Sequence, residues 1–256
     1  MISFTDVAFI RDDRTILSNI QWSTQRGEQW VLLGRNGSGK TTLLEMINGY
    51  TFPSRGTIEV LGKTYGRTDI REVRKRIAYM SQALVEKLSL SDPLWEIVAG
   101  GAVGYLRFYE AIPQELKERA MERLEHVGLG GMCSQPFGTL SQGERKKALL
   151  ARALIGDPEL VIMDEPCSGL DLYERESFLK SVEAIGSGTS IIYVTHHLEE
   201  ITPIFTHVAL LHNGQITASG RKETVLTREL IQEAYGVSVT LDWEAGRPWA
   251  KVKASL

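Results

Sequence analysis

The chain has 256 residues and is 43% hydrophobic, enough for one substantial core with a smaller lobe attached. Its 29 basic and 32 acidic residues leave a formal charge of −3, so no overall positive field exists to hold nucleic acid by counterion release, and no nucleic-acid partner is expected. Cys133 and Cys167 stand far apart without a CxxC or Cys/His pattern, which argues against a disulfide framework or a zinc site, and no run approaches the roughly 20 apolar residues of a membrane-spanning helix.

Residues 1–6 lack a basic segment followed by an apolar run, so neither secretion nor a cleaved leader is expected, and the reading is cytoplasmic. Residues 1–33 alternate apolar and polar positions, turn at Asp12-Asp13 and Arg26-Gly27, and end in the apolar run Trp30-Val31-Leu32-Leu33, which predicts strands. Residues 40–48 read as a helix closed by Gly49. Strands are predicted over 57–60 and 77–80, and helical periodicity runs through 92–131, including Leu116, Ala120, Leu124 and Val127. A helix from Ser141, a strand over 160–163, a helix over about 172–185 and a strand over 190–194 follow. Beyond Gly220 a short helix over 227–235 leads into a tail that carries no assigned chemistry. Strands alternating with helices predict an α/β fold with a mostly parallel sheet covered on both faces.

Gly34-Arg35-Asn36-Gly37-Ser38-Gly39-Lys40-Thr41-Thr42 lies between a predicted strand and a predicted helix and matches the phosphate-loop pattern. Glycines let successive N–H groups converge on phosphate oxygens, and the helix start adds the positive end of its dipole. Gly34, Asn36, Gly37, Ser38, Gly39, Lys40, Thr41 and Thr42 are therefore the candidate phosphate contacts, with Lys40 reaching the terminal phosphates and the Thr41 hydroxyl ligating Mg²⁺. Leu160-Val161-Ile162-Met163-Asp164-Glu165 reads as a buried strand delivering two acids at the carboxyl edge of the sheet. Paired with the phosphate loop, Asp164 would hold Mg²⁺ and Glu165 would polarise the attacking water as general base.

Leu140-Ser141-Gln142-Gly143-Glu144 resembles the signature motif of ATP-binding-cassette (ABC) ATPases; Ser141 with Glu144 also spells a capping box. Three further elements follow that family's order. Gln82 resembles the loop glutamine that senses Mg²⁺, Ser168-Gly169-Leu170-Asp171 resembles the dimer-contact loop, and His196 after Thr195 resembles the switch histidine on the γ-phosphate. The resemblance spans roughly residues 1–220. It implies a P-loop core over 1–82 and 140–220 with an N-terminal antiparallel β lobe, a helical lobe of ABC type over 83–139, and a short tail over 221–256.

The resemblance further implies ATP and Mg²⁺ as cofactors, ATP hydrolysis, and a homodimer, or a pair with a related cassette, closing around two ATP molecules. In such a dimer Ser141 and the Gly143 N–H contact the nucleotide of the other copy. Four positions depart from the pattern: Gln142 stands where glycine is usual, Glu144 where glutamine is usual, Arg11, with Phe9 two residues away, where an adenine-stacking aromatic is expected, and His197, after His196, where an acidic residue is common. The implied function is the ATPase subunit driving a separate membrane permease, peripheral at the inner face of the cell membrane. Residues 135–139 lack the Gly/Glu-rich exporter motif, and Ala234-Tyr235-Gly236-Val237 resembles the tail of subunits serving metal-chelate uptake, so the lean is towards import. The alternative is a soluble ABC ATPase acting in iron–sulfur cluster assembly or on another protein complex.

Overall fold

Alternating burial along Ile2–Arg11 and Arg14–Thr24 produces two antiparallel strands, β1 and β2, in the computed structural model, which describes residues 1–186 and 188–252. Ser187 and the last four residues of the tail expected over 221–256 lie outside the described residues. The β1–β2 connection is the two-residue turn Asp12-Asp13, both in the left-handed region at φ 49° and 59°, the conformation that matches a hairpin's twist. The chain continues through β3 (Gln29–Leu33), α1 (Lys40–Ile47), β4 (Arg55–Val60), β5 (Lys63–Thr64), α2 (Ile70–Arg74), β6 (Ile77–Met80), α3 (Gln82–Val85), α4 (Leu94–Val103), α5 (Gln114–His126), α6 (Gln142–Leu154), β7 (Leu160–Asp164) and α7 (Leu172–Glu183). It closes with β8 (Ser190–Thr195), β9 (His207–His212), β10 (Gln215–Arg221), α8 (Lys222–Val225), α9 (Arg228–Tyr235), β11 (Val239–Glu244) and β12 (Arg247–Val252).

The described chain divides into two compact units, one of Met1–Arg74 with Ser190–Leu256 and one of Lys75–Thr189. In the first, β2, β1, β4 and β5 form an antiparallel sheet in that order. The all-buried β3 pairs in parallel with β8 on one side and β9 on the other, and β10 returns antiparallel on β9. Ring packing knits this unit together. Phe4 stacks near Trp22 at 6.1 Å, Trp22 meets Trp30 edge-on at 5.6 Å, and Trp30 stacks on His207 at 4.8 Å. Tyr193 is fully buried, and its hydroxyl donates to Glu200 Oε2 at 2.9 Å, so the polar tip is satisfied where it is buried. β9 and β10 carry no sequence expectation above. The tail, to which no chemistry is assigned, forms the antiparallel hairpin β11–β12.

In the second unit β6 and β7 run parallel, and α4 to α7 supply the helical matter. The helical stretch expected across 92–131 resolves into α4 and α5, separated where Gly104 takes φ 73° and Pro113 precedes the second helix. α4 and α6 meet at Arg152, which is 6% exposed. Its guanidinium donates to Ile97 O at 2.5 Å and Tyr105 O at 2.6 Å, and burial pulls its pKa down to about 10. Gly101 permits this approach, since a Cβ there would run into the Arg152 carbonyl oxygen and lie 2.9 Å from Arg152 Cγ.

That contact sets two effects against each other for Gly101→Ala. Helix propensity favours alanine by about 1 kcal/mol, whereas forcing a methyl into a packed backbone contact costs about 1–3 kcal/mol. Because a carbonyl oxygen cannot rotate away as a side chain can, the variant is expected to be less stable on balance, read as a lower urea midpoint with unchanged slope.

Candidate functional site

The first unit carries the glycine loop, residues 34–39, between β3 and α1. β3 is buried at all five positions, so the loop leaves a rigid strand. Gly39 occupies the position before α1 at φ 104°, a conformation closed to side-chain-bearing residues, and a Cβ there would sit 2.7 Å from Leu17 Cδ2. α1 starts with no side-chain cap and no acidic residue in its first turn, leaving its positive end to an incoming anion. Lys40 is 7% exposed, and its ammonium donates to Gly34 O at 2.7 Å and Arg35 O at 3.2 Å, so the loop's own carbonyls hold it. Ser38 is buried with its Oγ lacking a hydrogen-bond partner. Such a group costs about 1–3 kcal/mol in an inert site, so it points to a ligand. Arg35, Asn36, Gly37 and Thr41 are exposed along the loop, and Thr42 is half-buried.

The loop is buttressed from behind. Gly214, at the β9–β10 turn, donates its N–H to Ser38 O at 3.1 Å and accepts Ser18 N–H at 2.9 Å. At the far end of α1, the Tyr65 hydroxyl donates to Ile47 O. Leu33 and Thr195 are partners in the parallel β3–β8 pairing, so Gly34 and His196 leave the same edge of the sheet side by side. Thr195 Oγ1 accepts His197 N–H at 3.0 Å, the His196 and His197 rings meet at 4.1 Å between centroids with their planes tilted by 38°, and His197 Nδ1 lies 3.4 Å from Glu199 Oε1. His196 is the more buried of the two. Arg11 is exposed at the end of β1 with its guanidinium 5.3 Å over the Phe9 ring.

The second unit gathers the acids and the glutamine. Met80 and Met163 are partners in the parallel β6–β7 pairing, so Gln82 and the Asp164-Glu165 pair follow at one sheet edge. The Tyr79 hydroxyl on β6 donates to Asp164 Oδ2 at 3.2 Å. Glu165 takes φ 45°, a left-handed conformation rare outside glycine, and such strain clusters at functional positions. Gln82 Oε1 accepts from Lys146 Nζ at 3.0 Å. Lys146 is 6% exposed, and that burial pushes its pKa down.

The start of α6 carries the expected capping box. Ser141 Oγ accepts Glu144 N–H at 3.2 Å while Glu144 Oε2 accepts Ser141 N–H at 2.7 Å. Gly143 N–H donates to Glu174 Oε1 at 3.2 Å. Tyr79, Lys146 and Glu174 were not anticipated from sequence. Each acts on an expected site residue from a distant place in the chain, and no local pattern announces such pairs. Among the described residues no His, Cys, Asp and Glu cluster suited to a metal on its own occurs, and no helix is long and apolar enough to cross a membrane.

The family model described as ABC transporter matches residues 17–168. The chain is 39% identical over 253 residues to the uncharacterized ABC transporter ATP-binding protein YlmA of Bacillus subtilis, covering 97% of this chain and 96% of that protein. It is 29% identical over 243 residues to the zinc transport system ATP-binding protein TroB of Treponema pallidum, covering 94% and 89% respectively. Among solved structures, CbiO1 from Clostridium perfringens, part of the ABC transporter complex CbiONQ, superposes with a TM-score of 0.76 at 28% identity over 91% of this chain and 93% of its own.

Tyr65 yields a pH test of the loop's support. Burial drives its phenol up to about 12, with Arg74 opposing. A pKa raised on folding contributes stability that is complete below the unfolded value, about 10, and is lost as pH climbs through about 12. Tyr65→Phe is expected to remove the latest-titrating phenolate absorbance and to flatten the loss of stability above pH about 10; an unchanged alkaline titration counts against this assignment.

Proposed function

The chain belongs to the ABC transporter family of ATP-binding proteins, and from that premise we propose that two copies close around two ATP molecules, hydrolyse them and drive a membrane permease. The observation that carries the proposal is the glycine loop, with an uncapped helix start, a buried lysine whose ammonium donates to the loop carbonyls of Gly34 and Arg35, and a buried serine hydroxyl awaiting a partner. ATP is the ligand that suits this donor array: its terminal phosphates take the loop amides, the Ser38 hydroxyl and the Lys40 ammonium together.

In the proposed reaction each residue has a defined task. Gly34, Asn36, Gly37, Ser38, Gly39 and Thr42 contact phosphate oxygens, and Lys40 turns from the carbonyls of Gly34 and Arg35 to the β- and γ-phosphates. The Thr41 hydroxyl, the Asp164 carboxylate and the Gln82 amide oxygen are hard oxygen donors of the kind Mg²⁺ takes, and Tyr79 orients Asp164 through its hydroxyl. Mg²⁺ when bound neutralises charge developing on the phosphate oxygens. Glu165 accepts the proton of the attacking water, and His196 donates to the γ-phosphate. Ser141 and the Gly143 N–H complete the enclosure from the other copy, and Arg11 lies its planar guanidinium against the base.

Closure follows from differential affinity, because the γ-phosphate has donors on both sides only when the two copies meet. A separate permease, with the chain peripheral at the inner face of the membrane, is the proposed partner. The relatives support this over the soluble iron–sulfur or complex-remodelling alternative, since each is a transporter component by name. The lack of an exporter motif at residues 135–139 and the tail resemblance at residues 234–237 favour an importer.

Glu165→Gln is expected to bind ATP normally, lose turnover by a factor on the order of 10²–10⁴ and accumulate an ATP-bound dimer on size-exclusion chromatography. Wild-type hydrolysis by that variant removes Glu165 from its role. Lys40→Ala should weaken ATP binding itself by roughly tenfold or more in titration calorimetry.

A further inference from the structure

Asp171 and Glu174 open α7 with the spacing of a capping box, and half of that box forms: Asp171 Oδ1 accepts Glu174 N–H at 2.8 Å. The Glu174 carboxylate is directed elsewhere, onto the Gly143 N–H at the start of α6. With Ser141 and Glu144 already exchanging their N–H groups within the box of α6, three of the four amides that a helix start leaves open are engaged. Gly143 is what admits the carboxylate, since a Cβ there would lie 2.8 Å from Glu174 Cδ.

The two signature ligands therefore differ in kind. Ser141 Oγ accepts from Glu144 N–H but keeps its own hydroxyl proton to give to an anion. Gly143 has a single amide proton, and Glu174 holds it. We propose that Glu174 competes with the γ-phosphate for the Gly143 N–H and so sets the ATP concentration at which two copies close. The inference rests on the dimeric reading above and adds to it an affinity-setting residue.

Two anions cannot share one proton donor, so the arriving phosphate displaces the carboxylate. Glu174 then remains a nearby negative charge, partly shielded from solvent and only partly screened. Once hydrolysis has removed the γ-phosphate, the same carboxylate takes back the amide and favours separation. Glu174 is a positioning residue that touches no reacting atom.

The test uses the full chain with Glu165→Gln as the parent, its dimer fraction measured by light scattering across an ATP titration. Glu174→Gln keeps the shape and removes the charge; Glu174→Ala removes the contact as well. Both are expected to lower the ATP concentration for half-maximal dimer by roughly three- to tenfold, while ATP affinity of the monomer, measured at protein concentrations too dilute for dimerisation, stays unchanged. A merely structural role would move the midpoint the other way, because damage to the α6 start weakens closure. An unchanged or raised ATP requirement in both variants overturns the inference. If the Glu165→Gln parent itself stays monomeric at saturating ATP, the dimeric reading falls and this inference with it.

Discussion

In-register parallel pairing of β3 with β8 is the constraint on which the placement of the candidate phosphate loop in the first unit depends. The ladder from Gln29↔Ile191 to Leu33↔Thr195 ends both strands at one level, so the glycine loop and His196 emerge together. Both strands are buried on both faces, so a shift by one residue would swap every side chain into packing shaped for its neighbour. The same device recurs in the second unit, where Met80↔Met163 aligns Gln82 with the two acids. Apolar strand interiors and polar carboxyl ends are thus one feature, since burial fixes the register that aims the chemistry.

A second theme is that the donors proposed to meet phosphate are held by the chain's own atoms. Lys40 rests on the carbonyls of Gly34 and Arg35, and the Gly143 amide on Glu174. These contacts keep donors close to their working positions and spare them full desolvation without a partner. Ser38 is the exception, a buried hydroxyl left with its bonding capacity unused. A fold tolerates such a cost of about 1–3 kcal/mol where a ligand repays it.

The glycine loop, the Asp164-Glu165 strand end and the Ser141 capping box were legible because each is local: a few consecutive residues dictate both the backbone and the chemistry. The helix boundaries near residues 40, 142, 172 and 228 were legible for the same reason, through caps and periodicity. Tyr79 with Asp164, Lys146 with Gln82 and Glu174 with Gly143 were not, because their members lie 85, 64 and 31 residues apart and only the fold brings them together. β9 went unread although its centre is buried and apolar, since the run Val208-Ala209-Leu210-Leu211 neither alternates nor adjoins a motif and so does not distinguish strand from buried helix. Arg11, which stands where a base-stacking aromatic is expected, rests over Phe9, the neighbour two residues earlier on the same strand.

The β11–β12 hairpin bears on the segment that follows the two histidines. Arg247 donates through Nε to Glu199 O, and Lys222 Nζ bridges Gly246 O at 3.1 Å with Thr202 O at 3.5 Å. The hairpin is thereby a splint across residues 199–202, which cannot shift without shedding bonds to a part of the chain 48 residues downstream. Because Glu199 stands three residues after His196, a displacement of the hairpin would be passed along the backbone to within one turn of that histidine.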